Sequence, residues 1–411
     1  MRSGLVLPFH RPSPVTAHPA GALDRWLGRK LQATLARANI RLELWDGTTG
    51  DLPGPAIADL IVLDRRVLVG LIVNPDLYFG EGYETERVLV RGDLGRLVEA
   101  LSRLSKPGIP TWRERMALWL APMNDHLTAR QNVHHHYDIG NDFYRLWLDR
   151  EMVYTCACYP SPDATLEEAQ VHKLDLVCRK LNLQPGETVV EAGCGWGALS
   201  LHMARYYGVI VKAFNISREQ IQHARTRAAA LDVSDRVRFI EDDYRNITGT
   251  YDAFVSIGML EHVGRKGFGA LADVLKRTVK PSSGRALLHF IGRDHPRPLN
   301  AWIRQRIFPG AYPPTLGEVT TDILEPAELS VLDVENLRLH YARTLADWRA
   351  RFDRAEAFVT ERFGAEFCRA WQLYLAGSEA AFTTGWMQLF QVLCAPAGGP
   401  VVHWLRPSHR T

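Results

Sequence analysis

From Glu187 onward the sequence alternates with a regularity that few folds accommodate. Short apolar and β-branched runs, TVVEA, VIVKAF, RVRFIE, YDAFVSIG and GRALLHFIG, alternate with stretches of helical character such as GALSLHMARYY and SREQIQHARTRAAA. The first of these helices stops at Gly208, a residue that takes the left-handed backbone of a helix end without strain. Strands separated by helices pair in parallel and are covered on both faces, so the pattern predicts an α/β unit. After Asp294 come loops and longer helices, with VLDVENL and GWMQLFQVLCA as candidate final strands.

The rest of the chain is organised around that unit. Residues 1–105 read as a smaller α+β accessory domain. Within it, IADLIVLDRRVLVGLIVNPDLYFGEGY reads as short β-rich runs broken by Asn-Pro-Asp and glycine turns, and DLGRLVEALSRL as a helix. SKPGIPTW, with two prolines and a glycine, is the linker candidate, and residues 106–130 form a linker and helix. Residues 131–411 carry the α/β unit, entered through helices with aromatic faces and TLEEAQVHKLDLVCRKLNL.

Charge and cysteine usage exclude several classes. With 49 basic and 46 acidic residues the net charge is +3, too weak for a nucleic-acid partner. Six cysteines in 411 residues make no disulfide framework, which points to a reducing cytoplasm. MRSGLVLPFHRPSP lacks the apolar core of a signal peptide, and no apolar run is long enough to span a bilayer.

The first α/β strand runs into EAGCGWGAL, with Glu191, Gly193, Gly195 and Gly197. Glycines there let backbone approach a ligand, and the following helix points its N-terminus at it. The spacing is G-x-G-x-G, not the dinucleotide G-x-G-x-x-G. About twenty residues on, where a nicotinamide site needs an acid for the ribose, the chain reads Ala213, Phe214, Asn215. Both departures argue against hydride transfer, and an acid two residues before the first glycine suits S-adenosylmethionine. Ser217 and Gln220 form S-x-x-Q ahead of a helix, a capping-box pattern whose glutamine can also reach a nucleoside.

HHHYDIGNDFYRLWLDREMVYTCACY raises the alternative of zinc. His134 to His136 are consecutive, so on a helix they fan apart, and Cys156 and Cys158 lack a second pair. No metal site is expected.

That stretch, with VVEAGCGWGALSLHMA, NISREQ, DDYRNI, SIGMLEHVG, LLHFIG, WIRQRIFPGAYPP and HYARTLADWRARF in order, resembles the cyclopropane-fatty-acyl-phospholipid synthases and mycolic acid cyclopropane synthases. The resemblance covers about residues 130–395, with an echo in PDLYFGEGY and VLVRGDL. It implies a class I S-adenosylmethionine methyltransferase fold, Rossmann-like, with a mostly parallel seven-stranded sheet. The implied reaction moves a methyl group from S-adenosylmethionine to the double bond of a cis-unsaturated acyl chain in a membrane phospholipid. Cofactor positions carry over to Tyr154, Thr155, Gly193, Cys194, Gly195, Asn215, Ile216, Gln220, Tyr244, Arg245 and Ile257, with Glu191 beside them. Asn215 stands where relatives usually have threonine.

The family also holds a bicarbonate as base, and the matching residues here are Cys156, Glu261, His289 and Tyr341, with the backbone at Ile291. Taken singly, Cys156, His289 and Tyr341 read as core residues. Glu261, at a strand's carboxyl end, does not. Relatives often carry a cysteine in the helix matching LYLAGSEAAF, and here that position is Ser378. Loss of a proton from the new methyl would give a cyclopropane, the expected outcome, and loss from a chain carbon a methyl-branched alkene. A small soluble acceptor, or a non-catalytic zinc- or lipid-binding role, are the competing readings. A lipid substrate implies peripheral docking on the inner face of the membrane, through WRERMALWLAP or through WIRQRIFPGAYPP with Trp302 and Phe308. Homodimers are frequent among such relatives.

Overall fold

The computed structural model describes residues 18–104 and 139–398, and the chain divides into two units. The linker SKPGIPTW, WRERMALWLAP and the three consecutive histidines lie outside the described residues.

The first unit joins the chain up to Lys106 with Asn300–Trp302 and Glu356–Ala380. Its sheet has β1 (Ile40–Leu44) parallel to β2 (Ala58–Val62) and β2 antiparallel to β3 (Val88–Gly92). Helices α1 (Ala22–Leu35), α2 (Arg65–Val73), α3 (Pro75–Glu84) and α4 (Leu94–Leu104) accompany it. Only β2 realises the expected β-rich runs of IADLIVLDRRVLVGLIVNPDLYFGEGY. The valine-rich run is helix α2, because Asp64 caps it by accepting from Val67 N–H at 2.9 Å. Its apolar residues also divide with helical period: Val67, Leu68 and Leu71 are buried while Val69, Ile72 and Val73 are exposed. Asn74-Pro75 is likewise a helix start, with Asn74 as cap and proline in the first turn of α3.

Residues 356–380, read from sequence as part of the catalytic region, pack with this unit for a visible reason. The Arg369 guanidinium lies 4.2 Å over the Tyr83 ring and donates to the Tyr83 carbonyl at 2.6 Å.

The second unit holds a seven-stranded sheet in the order β6-β5-β4-β7-β8-β10-β9. Strands β4 (Thr188–Ala192), β5 (Ile210–Asn215), β6 (Val237–Glu241), β7 (Ala253–Ile257) and β8 (Arg285–Gly292) are mutually parallel. β10 (Gln388–Pro396) runs antiparallel to both β8 and β9 (Leu329–Asn336). Alternate side chains face opposite layers: Val189, Val255 and Leu287 join one core, Val190, Phe254 and Leu288 the other. Helices α5 (Leu166–Lys180), α6 (Ala198–Tyr207) and α7 (Arg218–Ala230) cover the first face. Helices α8 (Leu260–Val263) and α9 (Phe268–Thr278) contribute to the second, and α10 (Arg338–Arg354) follows β9. The boundary of α5 is set by a capping box between Thr165 and Glu168, and Arg351 of α10 clamps Glu167 through two bonds of 2.8 and 2.6 Å.

Chain order reverses at β4, so a crevice opens at the carboxyl ends of β4, β5 and β7. Gly197, where the loop after β4 enters α6, has φ of +86°, and a Cβ there would lie 2.8 Å from Ala224 and Phe239. Gly197→Ala should therefore cost about 2–4 kcal/mol, combining left-handed strain with overpacking. Urea unfolding measures this, and an unchanged midpoint would contradict the packing described.

Candidate active site

The loop after β4 is the floor of the site. Gly193, Gly195 and Gly197 all have positive φ, for different reasons. Gly193 and Cys194 N–H groups both donate to the Phe214 carbonyl, at 2.9 and 3.0 Å, drawing the loop onto β5. A Cβ on Gly195, by contrast, would meet no atom within 4 Å. That open face belongs to a cavity lined by all twelve residues expected to hold the cofactor: Tyr154, Thr155, Glu191, Gly193, Cys194, Gly195, Asn215, Ile216, Gln220, Tyr244, Arg245 and Ile257.

Local bonding explains how each wall stands. The Asn215 amide donates to the Gly195 carbonyl at 3.2 Å and to Gln220 Oε1 at 2.7 Å. Ser217 caps α7 by accepting from Gln220 N–H, but Gln220 does not complete a capping box, since its amide carbonyl faces Asn215. Asp243 holds Arg245 by two bonds of 2.8 Å, so the guanidinium enters the site already neutralised. Burial pushes the Tyr244 hydroxyl up to about 12.

The opposite wall is an extended strap, residues 152–158. Asp149 accepts from the Val153 and Glu151 N–H groups at 2.9 Å and so fixes its start. From α5, Gln170 donates to the Thr155 carbonyl at 2.8 Å and Lys173 to Thr155 Oγ1 at 2.9 Å. The Thr155 methyl fills the space beside Gly258, where a Cβ would lie 2.9 Å from it. Ala157 N–H donates to Thr344 Oγ1 of α10 at 3.0 Å. The strap thus bridges α5, α10 and the end of β7.

Around Tyr154 the aromatic rings are continuous. Its centroid lies 5.1 Å from Trp147 and 5.3 Å from Trp348; Trp348 lies 6.0 Å from Tyr341, which lies 4.5 Å from Phe382. Such rings offer negative faces to a cation while excluding water.

The five residues expected at the base site do not line this cavity but flank it. Cys156 follows Thr155 on the strap, with Sγ 4.0 Å from the Leu337 carbonyl, just ahead of Tyr341 on α10. Burial holds its thiol well above the usual range, so it is not a thiolate. His289 on β8 pairs in register with Ile257 on β7, and its carbonyl accepts from Gly258 N–H at 2.8 Å. Glu261 on α8 is fixed through Oε1, which accepts the Ile291 N–H. The Ile291 backbone, expected near an anion, has its N–H engaged by Glu261, where α8 folds back over the end of β8. Glu261 Oε2 and His289 Nε2 are both buried without a hydrogen-bond partner. Desolvation raises the Glu261 carboxyl to about 7 and drives His289 well below the ordinary imidazole range. Ser378 is half-buried on the helix Ala365–Thr384.

Lys173 and His262 line the cavity but escaped sequence reasoning. Lys173, wholly buried, is pulled down to about 8 by desolvation, and His262 to about 4. Glu191 is buried, donated to by Ser200, and raised to about 7, again by desolvation. Trp302, expected at a membrane surface, is 2% exposed and donates to Glu84 at 3.1 Å, so it is core of the first unit. Phe308 does lie near the cavity, 5.7 Å from the His262 ring. Among the described residues no group of His, Cys, Asp and Glu could hold a metal ion, and no helix is long and apolar enough to cross a membrane.

The strand order, the glycine loop after the first parallel strand and the cavity at the carboxyl edge define the class I fold of S-adenosylmethionine-dependent methyltransferases. Among solved structures, the mycolic acid cyclopropane synthase CmaA1, in complex with SAH and CTAB, superposes with a TM-score of 0.62 at 31% identity. It covers 67% of this chain and 99% of its own. The family model described as mycolic acid cyclopropane synthetase matches residues 124–392, and the chain belongs to that family. A probable fatty acid methyltransferase of Pseudomonas putida is 35% identical over 86% of this chain and 91% of its own length. The cyclopropane-fatty-acyl-phospholipid synthase of Escherichia coli is 37% identical over 63% of this chain and 66% of its own.

The buried carboxyls predict a pH signature in the ligand-free protein. A folded value near 7 against an ordinary 4.5 means that Glu191 contributes stability below about pH 4.5 which is lost as pH rises through about 7. Glu191→Gln removes that dependence, so wild type should lose up to about 3 kcal/mol relative to the variant between about pH 5 and pH 8. Parallel melting curves for the two proteins would contradict the burial of the carboxyl.

Proposed function

We propose that this chain transfers the methyl group of S-adenosylmethionine to the double bond of a cis-unsaturated acyl chain of a membrane phospholipid, closing a cyclopropane ring with bicarbonate as base. The observation that carries the reading is the pair of unpartnered buried atoms, Glu261 Oε2 and His289 Nε2, flanking the cavity at the ends of β7 and β8. One carboxylate acceptor and one imidazole nitrogen suit an ion that has both a hydroxyl and acceptor oxygens.

The residues fit both groups. S-adenosylmethionine would lie over Gly195, whose open face admits it, between the Asn215–Gln220 amide pair and Tyr244. Bound there, it supplies a methyl on a positive sulfur, which an alkene can attack only when held in line and dry. Bicarbonate would lie against Glu261 and His289 and supplies the base that takes a proton from the added methyl. Glu261 is held in place through the Ile291 amide. Tyr154, Trp348 and Tyr341 line the way between with aromatic faces that stabilise positive charge on the acyl chain without trapping it. The bond from sulfur to methyl breaks, a bond from methyl to chain carbon forms, and ring closure follows proton loss. The substrate places the enzyme at the inner face of the membrane.

A second reading, a methyl-branched product without a ring, is favoured by one finding. The relatives matched over 86% and 94% of this chain are named a probable fatty acid methyltransferase and a tuberculostearic acid methyltransferase. The cyclopropane-fatty-acyl-phospholipid synthase and cyclopropane mycolic acid synthase 3 match over 63%.

Mass spectrometry of lipids from a host expressing the chain separates the readings. The proposal expects acyl chains heavier by one methylene that resist hydrogenation. A gain that can be hydrogenated would establish the branched alkene, and no gain would overturn both. Gly195→Asn should abolish the gain while leaving the protein folded, because no protein atom occupies that space and asparagine tolerates the left-handed backbone Gly195 adopts. Retained S-adenosylmethionine binding in the variant, by calorimetry, would contradict the placement.

A further inference from the structure

On the face of the sheet covered by α5, three side chains stand in one row across three strands. His289 on β8 is directly opposite Gln391 on β10, and Gln391 is directly opposite Glu335 on β9. Residues directly opposite in antiparallel pairs share a face. Lys180, in the last turn of α5, lies over this row. Its ammonium donates to Glu335 Oε2 at 2.6 Å and to Gln391 Oε1 at 2.8 Å, with Asp333 at 3.7 Å. Gln391 Nε2 lies 3.0 Å from His289 Nδ1. Lys180, Gln391 and His289 are all buried.

Donor and acceptor rules fix where each proton lies. An ammonium only donates, so the amide atom facing Lys180 is the oxygen, and the Gln391 amide cannot be flipped. The nitrogen facing His289 is then an NH₂ group, which only donates, so Nδ1 must be the acceptor. A neutral imidazole that accepts at Nδ1 carries its proton at Nε2. Nε2 is the ring atom left without a partner. A doubly protonated ring would set an N–H against the amide NH₂, and desolvation opposes that charge as well.

We propose that Lys180 and Gln391 are positioning residues that lock His289 as the neutral Nε2–H tautomer, so that the ring always presents a hydrogen-bond donor to a small oxyanion held beside Glu261. The oxyanion half rests on the functional reading above; the tautomer half rests on the ladder alone. A locked donor keeps His289 from acting as a competing base. It leaves proton removal to the anion and aligns the anion's acceptor oxygen with the ring. Glu335, with its side chain about a third exposed, gives the row an outer end at which the ammonium is held without full desolvation.

The test is nitrogen NMR of the ligand-free protein labelled in histidine. Of the 15 histidines, His289 is assigned by its loss in His289→Asn. Wild type should show a pyrrole-type Nε2 and a pyridine-type Nδ1, as one species across the neutral range. Gln391→Glu replaces the NH₂ by an acceptor and should move the proton to Nδ1, while Lys180→Met should give a tautomer mixture. With vesicles of a cis-monounsaturated phospholipid, Gln391→Glu should lower kcat at least about tenfold. The KM for S-adenosylmethionine should stay unchanged, since neither residue lines its cavity. A pyridine-type Nε2 in wild type, or an unmoved proton in Gln391→Glu, would overturn the proposal without touching the methyl-transfer reading. A switched tautomer with undiminished kcat would overturn the oxyanion half, and with it the role given to His289 above.

Discussion

The bond from the buried Lys173 ammonium to Thr155 Oγ1, at 2.9 Å, is the contact on which the rest of the site depends. Burying an ammonium costs several kcal/mol unless partners surround it. Here the strap supplies a hydroxyl, and Asp149 and Glu191 supply negative charge. The bond also fixes the strap at the point where two functions meet. Thr155 lines the cofactor cavity, and Cys156, the next residue, is buried with its sulfur against the Leu337 carbonyl. Moving Thr155 would loosen both walls together. Gln170, one turn earlier on α5, secures the Thr155 backbone carbonyl, so the helix grips the strap by backbone and side chain alike.

The sheet supplies the second constraint. Because β10 inserts between β8 and β9, His289 gains a neighbour on each side: Ile257 in the cavity wall and Gln391 behind. A simple continuation of the parallel order would have left the ring without that partner. α5 therefore serves at two points, with Lys173 at its middle holding the strap and Lys180 at its end holding the row that ends in His289. Seven residues separate them, two helical turns, so both project onto the same buried face.

Local features were legible in the sequence, and features made by distant pairing were not. The glycine loop could be read because strand, loop and helix are consecutive and each glycine answers a local demand. The strands from TVVEA to GRALLHFIG were legible for the same reason, being continuous apolar runs of buried parallel sheet. The valine-rich α2 was not, since β-branched residues suggest strand until the Asp64 cap and the split of buried and exposed side chains are seen. Nothing local to TLEEAQVHKLDLVCRKLNL marks Lys173 and Lys180 as buried. Lys180 is buried by partners 155 and 211 residues away, a fact no window along the chain contains. Gln391 did leave a trace, a lone amide in the apolar run LFQVL, and such an interruption in a buried strand signals a partnered polar group. Cys156, His289 and Tyr341 were singled out only through the family resemblance, because each alone looks like core, whereas Glu261 stood out by its place at a strand's carboxyl end.

In the proposed reaction a base stands beside the newly added methyl rather than beside the acyl chain. Incubating the purified protein with vesicles of a cis-monounsaturated phospholipid and S-adenosylmethionine deuterated in the methyl group tests this directly. The expected product is a saturated, ring-containing acyl chain in which the labelled carbon has lost one deuterium. A product that keeps the labelled methyl intact, or lipid that takes up no label, would contradict it.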